Sequence, residues 1–334
     1  MSANIKLQWE ISMSFKSFNK PLIILLTTVL FTAGCSSKPD TPNTQDDIIT
    51  FFDYQLYTPR GQKIQLSQWI KNTSQADVIL IGEWHTHAGI HRFQADVLKL
   101  LIQSTQPIAL SMEQFSRDTQ SIIDDYLQGS IGEQTLISQG NAWPNYESDY
   151  RPLVELAKHA DMDVIAANAP KSIVRCIAKD GLKYLDVLPP EERAYVASEI
   201  DLGDSTYKEK FMTSMHHGEP SQHLNMYASQ LTWDATMAES IVNYKHTHPN
   251  AKIVHIAGKF HTEGGLGIAA QIKQIDPTLN IIIVTPVGTI TTDSHDYQLH
   301  VLTPPIRYIK PENQRIAFAQ LFKNRKEPNC SNNE

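Results

Sequence analysis

The chain has 334 residues, of which 41% are hydrophobic and 19% charged, with a formal net charge of -7. That length allows one large domain or two small ones, and the charge is spread along the chain, which excludes a nucleic-acid footprint. Three cysteines are too few for a disulfide framework.

The first 35 residues read as a targeting segment. Lys16 and Lys20 give a positive start, and Pro21 to Phe31 form an apolar core that closes at Gly34-Cys35. A plain transmembrane anchor needs a longer apolar run. The segment resembles a bacterial lipoprotein signal, with Cys35 lipidated by palmitate as the mature N-terminus. Thr32 stands where such signals usually carry leucine, and Met13 is an alternative start to Met1. Ser36 in place of an aspartate implies, by the same resemblance, an outer-membrane protein facing the periplasm. In that oxidising compartment Cys176 and Cys330 either pair or remain thiols.

Residues 36–47 form a polar, Pro-containing tether. Residues 48–66 read as a strand, a turn at Pro59-Arg60-Gly61 and a second strand; a brief helix over Ser67 to Lys71 follows, with Ser67 as N-cap. Val78-Ile79-Leu80-Ile81 is short and β-branched enough for a buried strand. Gly82 ends it, and Glu83, His85, His87 and His91 come next. Phe93, Val97, Leu100 and Leu101 then recur at helical spacing. Gly89 places the start of that helix later, which leaves His87 and His91 to the loop and first turn.

Pro107 to Met112 is a second buried strand with Glu113 at its carboxyl end, and Asp118 to Leu127 is helical. An aromatic loop, Trp143 to Pro152, leads into a helix with Pro152 as its first residue. A third strand, Val164 to Ala167, ends in Asn168-Ala169-Pro170. Residues of about 172–250 are helical in pattern, an insertion between strands. A fourth strand, Lys252 to Ala257, is followed by Gly258, Lys259, Phe260 and His261. Ile268 to Ile275 is a helix, Asn280 to Val284 and Gln298 to Leu302 are strands, and the tail of residues 311–334 carries one helix, Ile316 to Phe322. Strands alternating with helices give an α/β fold: a mainly parallel sheet flanked by helices, with a helical insertion.

Four strands thus end in polar groups: Glu83 with His85, Glu113, Asn168, and His261. In a parallel sheet those ends lie on one rim, where ligands bind. Each residue alone has an ordinary structural role, such as an acid at a helix N-terminus. Their coincidence points to a site. His87 and His91, four apart, are a further pair of imidazoles for that cleft, with His91 equally placed for the surface. In the aromatic loop, Tyr146 and Tyr150 offer phenols, which ligate ferric haem iron, and Arg151 a guanidinium suited to carboxylates. The same loop also reads as a cluster covering the core.

The blocks Gly82-Glu83-x-His85, His91-x-Phe93-Gln94, Ser111-Met112-Glu113, Asp149-Tyr150-Arg151-Pro152, Asn168-Ala169-Pro170, Trp233 to Ala238 and Ala257-Gly258-x-x-His261 follow in order. Together they resemble the ChaN-like haem-binding lipoprotein family over roughly Asp77 to Pro286. The resemblance implies a haem-binding α/β domain over residues 48–310, a role in iron and haem acquisition, and a homodimer with two haems stacked between subunits. It also implies iron bound by a tyrosine of one subunit, with a histidine of the other nearby. Tyr150 and Tyr146 are the first choices and Tyr227 the third. His85, His91, His261 and Arg151 are the other cofactor-binding expectations, and Lys171, Arg175 and Lys259 complete the cationic clamp. His87, Ala88, Lys259 and Phe260 depart from the family pattern. The wider superfamily includes erythromycin-esterase-like hydrolases and a metal-dependent protease group. The rival expectation is therefore an enzyme with Glu83 or Glu113 as base and His85 or His261 as acid, with a metal on His85, His261 and Glu113.

Overall fold

A computed structural model describes residues 48–215, 219–323 and 328–330. The expected signal segment, the expected lipidation site Cys35 and the expected tether lie outside the described residues. In chain order the elements are β1 (Gln55–Tyr57), α1 (Leu66–Asn72), β2 (Val78–Glu83), α2 (Ala88–Leu101) and β3 (Ile108–Ser116). Next come α3 (Gln120–Leu127), α4 (Glu133–Gln139), α5 (Arg151–His159), β4 (Val164–Asn168), α6 (Lys171–Asp180), α7 (Pro190–Arg193) and α8 (Thr206–Ser214). The chain continues through α9 (Pro220–Thr247), β5 (Lys252–Gly258), α10 (Lys259–Thr262), α11 (Ile268–Ile275), β6 (Ile281–Val287), β7 (Tyr297–His300) and α12 (Pro311–Lys323).

The seven strands form one sheet in the order β1-β7-β6-β2-β5-β3-β4. Every pairing is parallel except β1 with β7. The α/β class expected from the sequence is what the fold shows. Strand β2 is central and wholly buried, and its side chains alternate between two cores. Ile79 and Ile81 pack with Phe93, Val97 and Leu98 of α2 and Leu153 and Val154 of α5. Val78 and Leu80 pack with Met237, Ala238 and Ile241 of α9 and Ile268 and Ile272 of α11. Burying both faces explains why the strand reads as an unbroken apolar run.

Several element ends differ from the expectation. Helix α1 starts one residue earlier than expected, with Gln65 rather than Ser67 as N-cap. Helix α2 begins at Ala88, ahead of Gly89, with His87 at its N-cap. Gly89 serves close approach: a Cβ there would lie 2.7 Å from the Asp53 carbonyl and 2.9 Å from that of Phe51. Strand β3 runs on to Ser116, so Glu113 lies within it, beside a register shift between Met112 and Ser116. Arg151, not Pro152, opens α5, because a π-helical turn over Tyr146–Tyr150 feeds directly into it. Between β4 and β5 lie α6 to α9 with two further small cores. Helix α9 is opened by a reciprocal Glu219–Gln222 capping box and Pro220. Cys176 of α6 is disulfide-bonded to Cys330.

Candidate functional site

Parallel pairing sets the site. Glu83, the last residue of β2, lies opposite Gly258, the last of β5, while Met112 of β3 pairs with Ile256. Glu83, Glu113 and His261 therefore reach one rim, and the loop after β2 adds His85.

The first half is built around the buried Glu83 carboxylate. Oε1 accepts from Tyr150 Oη at 2.6 Å, His85 Nδ1 at 2.9 Å and Gln114 Nε2 at 3.2 Å, and Oε2 accepts from Gln94 Nε2 at 2.7 Å. Burial alone would raise this acid. The His85 hydrogen bond, the charges of His91 and His85 and the Tyr150 hydroxyl outweigh it and hold the carboxyl below its usual range. Burial likewise works against a charged His85, but the Glu83 bond and the charges of Glu113 and Glu83 raise it. The His85 backbone is fixed as well: its carbonyl accepts from His91 Nε2 at 2.9 Å and Asn145 Nδ2 at 3.0 Å.

The second half is an acid–imidazole relay. Tyr207 Oη donates to Asp234 Oδ2 at 2.6 Å, and His261 Nδ1 donates to Asp234 Oδ1 at 2.7 Å. His261 Nε2 then lies 3.6 Å from Glu113 Oε1, whose other oxygen accepts from Gly258 N at 2.6 Å. Burial opposes the charge on His261, but Asp234 and Glu113 push it up to about 9. By contrast His255, buried on β5 against Ser111 Oγ, is pushed down to about 3 by desolvation and stays neutral.

A cavity of about 740 Å³ is lined by Glu83, Trp84, His85, His87, Lys259, Phe260 and His261 from the strand ends, and by Phe51, Pro304, Pro305 and Arg307 from the two flanking loops. That volume suits a drug- or cofactor-sized ligand. Flat apolar faces, two cations and imidazoles are what a haem requires, so the residues present fit that group.

The other expected site residues fall elsewhere. Asn168 is buried and donates to the Glu113 carbonyl at 3.0 Å, which makes it a support for β3 and not a cavity wall. His91 is buried rather than at the surface, between the His85 carbonyl and Gln94. Tyr146, Tyr150 and Tyr227 are each no more than 1% exposed and none lines the cavity. Tyr150 is turned to Glu83, Tyr227 lies 3.4 Å from Ser205 Oγ, and Tyr146 has its hydroxyl buried without a partner. Burial first, and then Glu83, push the Tyr150 phenol far above its ordinary value, burial does the same to Tyr146, and burial raises Tyr227. Arg151 is bound by Glu133 and Glu147 and is no clamp. Lys171 and Arg175 sit on α6, away from the cavity lining. Among the described residues no group of three His, Cys, Asp or Glu is placed to hold a metal ion, the trio His85, Glu113 and His261 included.

The sequence reading missed Asp234 as a partner of His261, the Gln94 and Gln114 donors, and Arg307. Asp234 was visible inside the Trp233 to Ala238 block, and Gln94 beside Phe93, but nothing in their spacing named the partner.

A family model described as haem-binding uptake, Tiki superfamily, ChaN matches residues 69–272. Among solved structures, ChaN of Campylobacter jejuni with cofacially bound haem is similar to this chain with a TM-score of 0.59 and 20% identity, covering 74% of this chain and 96% of that one. A mutant erythromycin esterase in its open conformation matches more loosely, with a TM-score of 0.42 and 12% identity over 79% of this chain and 87% of that one. Among curated proteins, the chloroplastic protein RETICULATA-RELATED 5 of Arabidopsis thaliana is 23% identical over 198 residues, 56% of this chain. The matched stretch spans 27% of that relative's length.

Proposed function

The chain belongs to the ChaN family of haem-binding uptake proteins within the Tiki superfamily, and from that membership we propose that it is a lipid-anchored haem carrier of the bacterial envelope, with haem seated in the cavity at the sheet's carboxyl rim. The observation that carries the proposal is the cavity's chemistry: about 740 Å³, walled by Phe51, Trp84, Phe260, Pro304 and Pro305, with Lys259 and Arg307 at its lining. Apolar rings and prolines take the porphyrin face, and the two cations take its carboxylates. Lys259 is held 3.0 Å from Glu263, on a surface where exchange of one carboxylate for another is cheap.

Dimerisation around two haems and anchoring through Cys35 complete the proposal. Tyr146, Tyr150 and Tyr227, the tyrosines singled out from the sequence, are buried and outside the cavity lining. Titration of the purified mature protein with hemin, followed by Soret absorbance and by scattering mass, tests it. Saturable binding at one haem per chain with a shift from monomer to dimer is the expected result. Absence of saturable binding would remove the haem reading.

One observation favours a second reading, a Glu/His-based hydrolase. The Asp234–His261–Glu113 relay holds an imidazolium against a carboxylate at the cavity, the arrangement proton transfer requires. Ester and peptide substrate screens that find turnover lost in Glu113→Gln would promote that reading.

A further inference from the structure

We propose that the exposed apolar and basic surface built by residues 49–52 and 306–318 docks on an anionic phospholipid bilayer. The proposal rests on the anchored reading above, and its test removes the anchor so that the two can fail separately.

Two loops hold large apolar side chains out in water. Ile309 is 89% exposed, Ile306 82%, Ile49 69% and Phe52 63%. The loops meet at one end of the molecule. Phe51 of the first and Pro304, Pro305 and Arg307 of the second line the same cavity, because β1 and β7 pair and bring their flanks together. Helix α12 opens at Pro311, just after Ile309. From Pro311 to Gln320 every residue is exposed except Ala317, and Ile316 and Phe318 keep about half their surface in water. Single exposed apolar residues are ordinary, but a run of them on adjoining segments marks an interaction surface.

This helix is not a loose end. Before it, Val301 N donates to the Val287 carbonyl at 3.1 Å, and beyond it Cys330 is bonded to Cys176 of α6. The segment is fixed to the body at both ends while Ile306, Ile309, Ile316 and Phe318 stay uncovered.

Charge selects the occupant. Residues 306–323 contain Arg307, Lys310, Arg315 and Lys323 against one acid, Glu312, in a chain of net charge -7. Among the described residues Arg307, Lys310 and Arg315 have no ion-pair partner. A basic, apolar surface that includes Tyr308 suits a bilayer: apolar side chains enter the acyl boundary, the phenol sits among the headgroups, and each cation is drawn to anionic lipid. A second copy seated on the same surface by a two-fold axis would bring like charges together. Chain length agrees. From Cys35 to Ile49 the chain spans at most about 50 Å, and this surface is the first part of the described chain reached from that cysteine. Docking brings the cavity wall that these loops form to the headgroup level.

The test is flotation of the hemin-free mature chain carrying Cys35→Ala, which has no acyl group. The vesicles are phosphatidylethanolamine with phosphatidylglycerol, or phosphatidylcholine alone. Binding is expected to the anionic vesicles only, and is lost in about 0.5 M salt. Lys310→Gln/Arg315→Gln should weaken it roughly 30-fold, the attraction of two cations. Ile316→Glu/Phe318→Glu should weaken it at least about tenfold. None of these four residues lines the cavity, so circular dichroism and hemin titration of both variants should match the parent. No binding by the parent, or equal binding by the folded variants, would overturn the docking surface without touching haem binding or lipidation at Cys35. A hemin-free parent with the scattering mass of a dimer, reduced to a monomer in Ile316→Glu/Phe318→Glu, would give the surface to a second copy and overturn the proposal as well.

Discussion

At the scale of single residues, the rim is an arrangement of buried charges that stabilise one another, and pH reads it out. His261 has a folded pKa of about 9 against an ordinary 6.5, so the folded state holds this proton more tightly than the unfolded chain. Its contribution is complete below pH 6.5 and is lost as pH rises through 9. Urea midpoints measured from pH 6 to pH 9.5 should fall for the wild type and fall much less for Asp234→Asn, which removes the main charge behind the shift. Equal slopes in the two proteins would refute this account of His261. The same reasoning separates His261 from His255, which is equally buried but has no acid partner and so stays neutral.

At the scale of elements, the strand ends are packed so closely that Gly82 leaves no room for a side chain. A Cβ on Gly82 would meet Thr262 Oγ1 at 2.5 Å, Pro286 Cδ at 3.3 Å and Lys259 Cα at 3.4 Å. Gly82→Ala is expected to lower stability by about 1–3 kcal/mol through overpacking, seen as a lower urea midpoint with an unchanged m-value. The buried strands β2 to β5 were legible because short apolar runs closed by glycine or a polar residue mark them, and with them Glu83, His85, Glu113 and His261. Helix α2 was misjudged because glycine was read as a weak helix former, when Gly89 is there to let residues 51–53 pass. The cavity's outer wall was not legible at all. Phe51, Pro304, Pro305 and Arg307 reach it through the pairing of Gln55–Tyr57 with β7, and a three-residue strand has no period to detect. Nor does spacing announce that Asp234 of a long helix will meet His261 past the next strand.

At the scale of the whole molecule, the family match of residues 69–272 covers strands β2 to β5 and the helical insertion but not β1, β6 and β7 or the tail. No helix among the described residues is long and apolar enough to cross a membrane; attachment through Cys35 belongs to the proposed function. Cells fed labelled palmitate should label the wild-type protein and not Cys35→Ala, with Cys35→Ala released from the membrane fraction; label retained in the variant would exclude this anchor. Beyond the sheet, the chain closes on itself: Cys176 on the first insertion helix is joined to Cys330 across a sequence separation of 154. A protease that cuts the backbone once anywhere inside that circle opens a ring without dividing the molecule. The nicked protein should run as one species on a gel until a reductant parts its fragments.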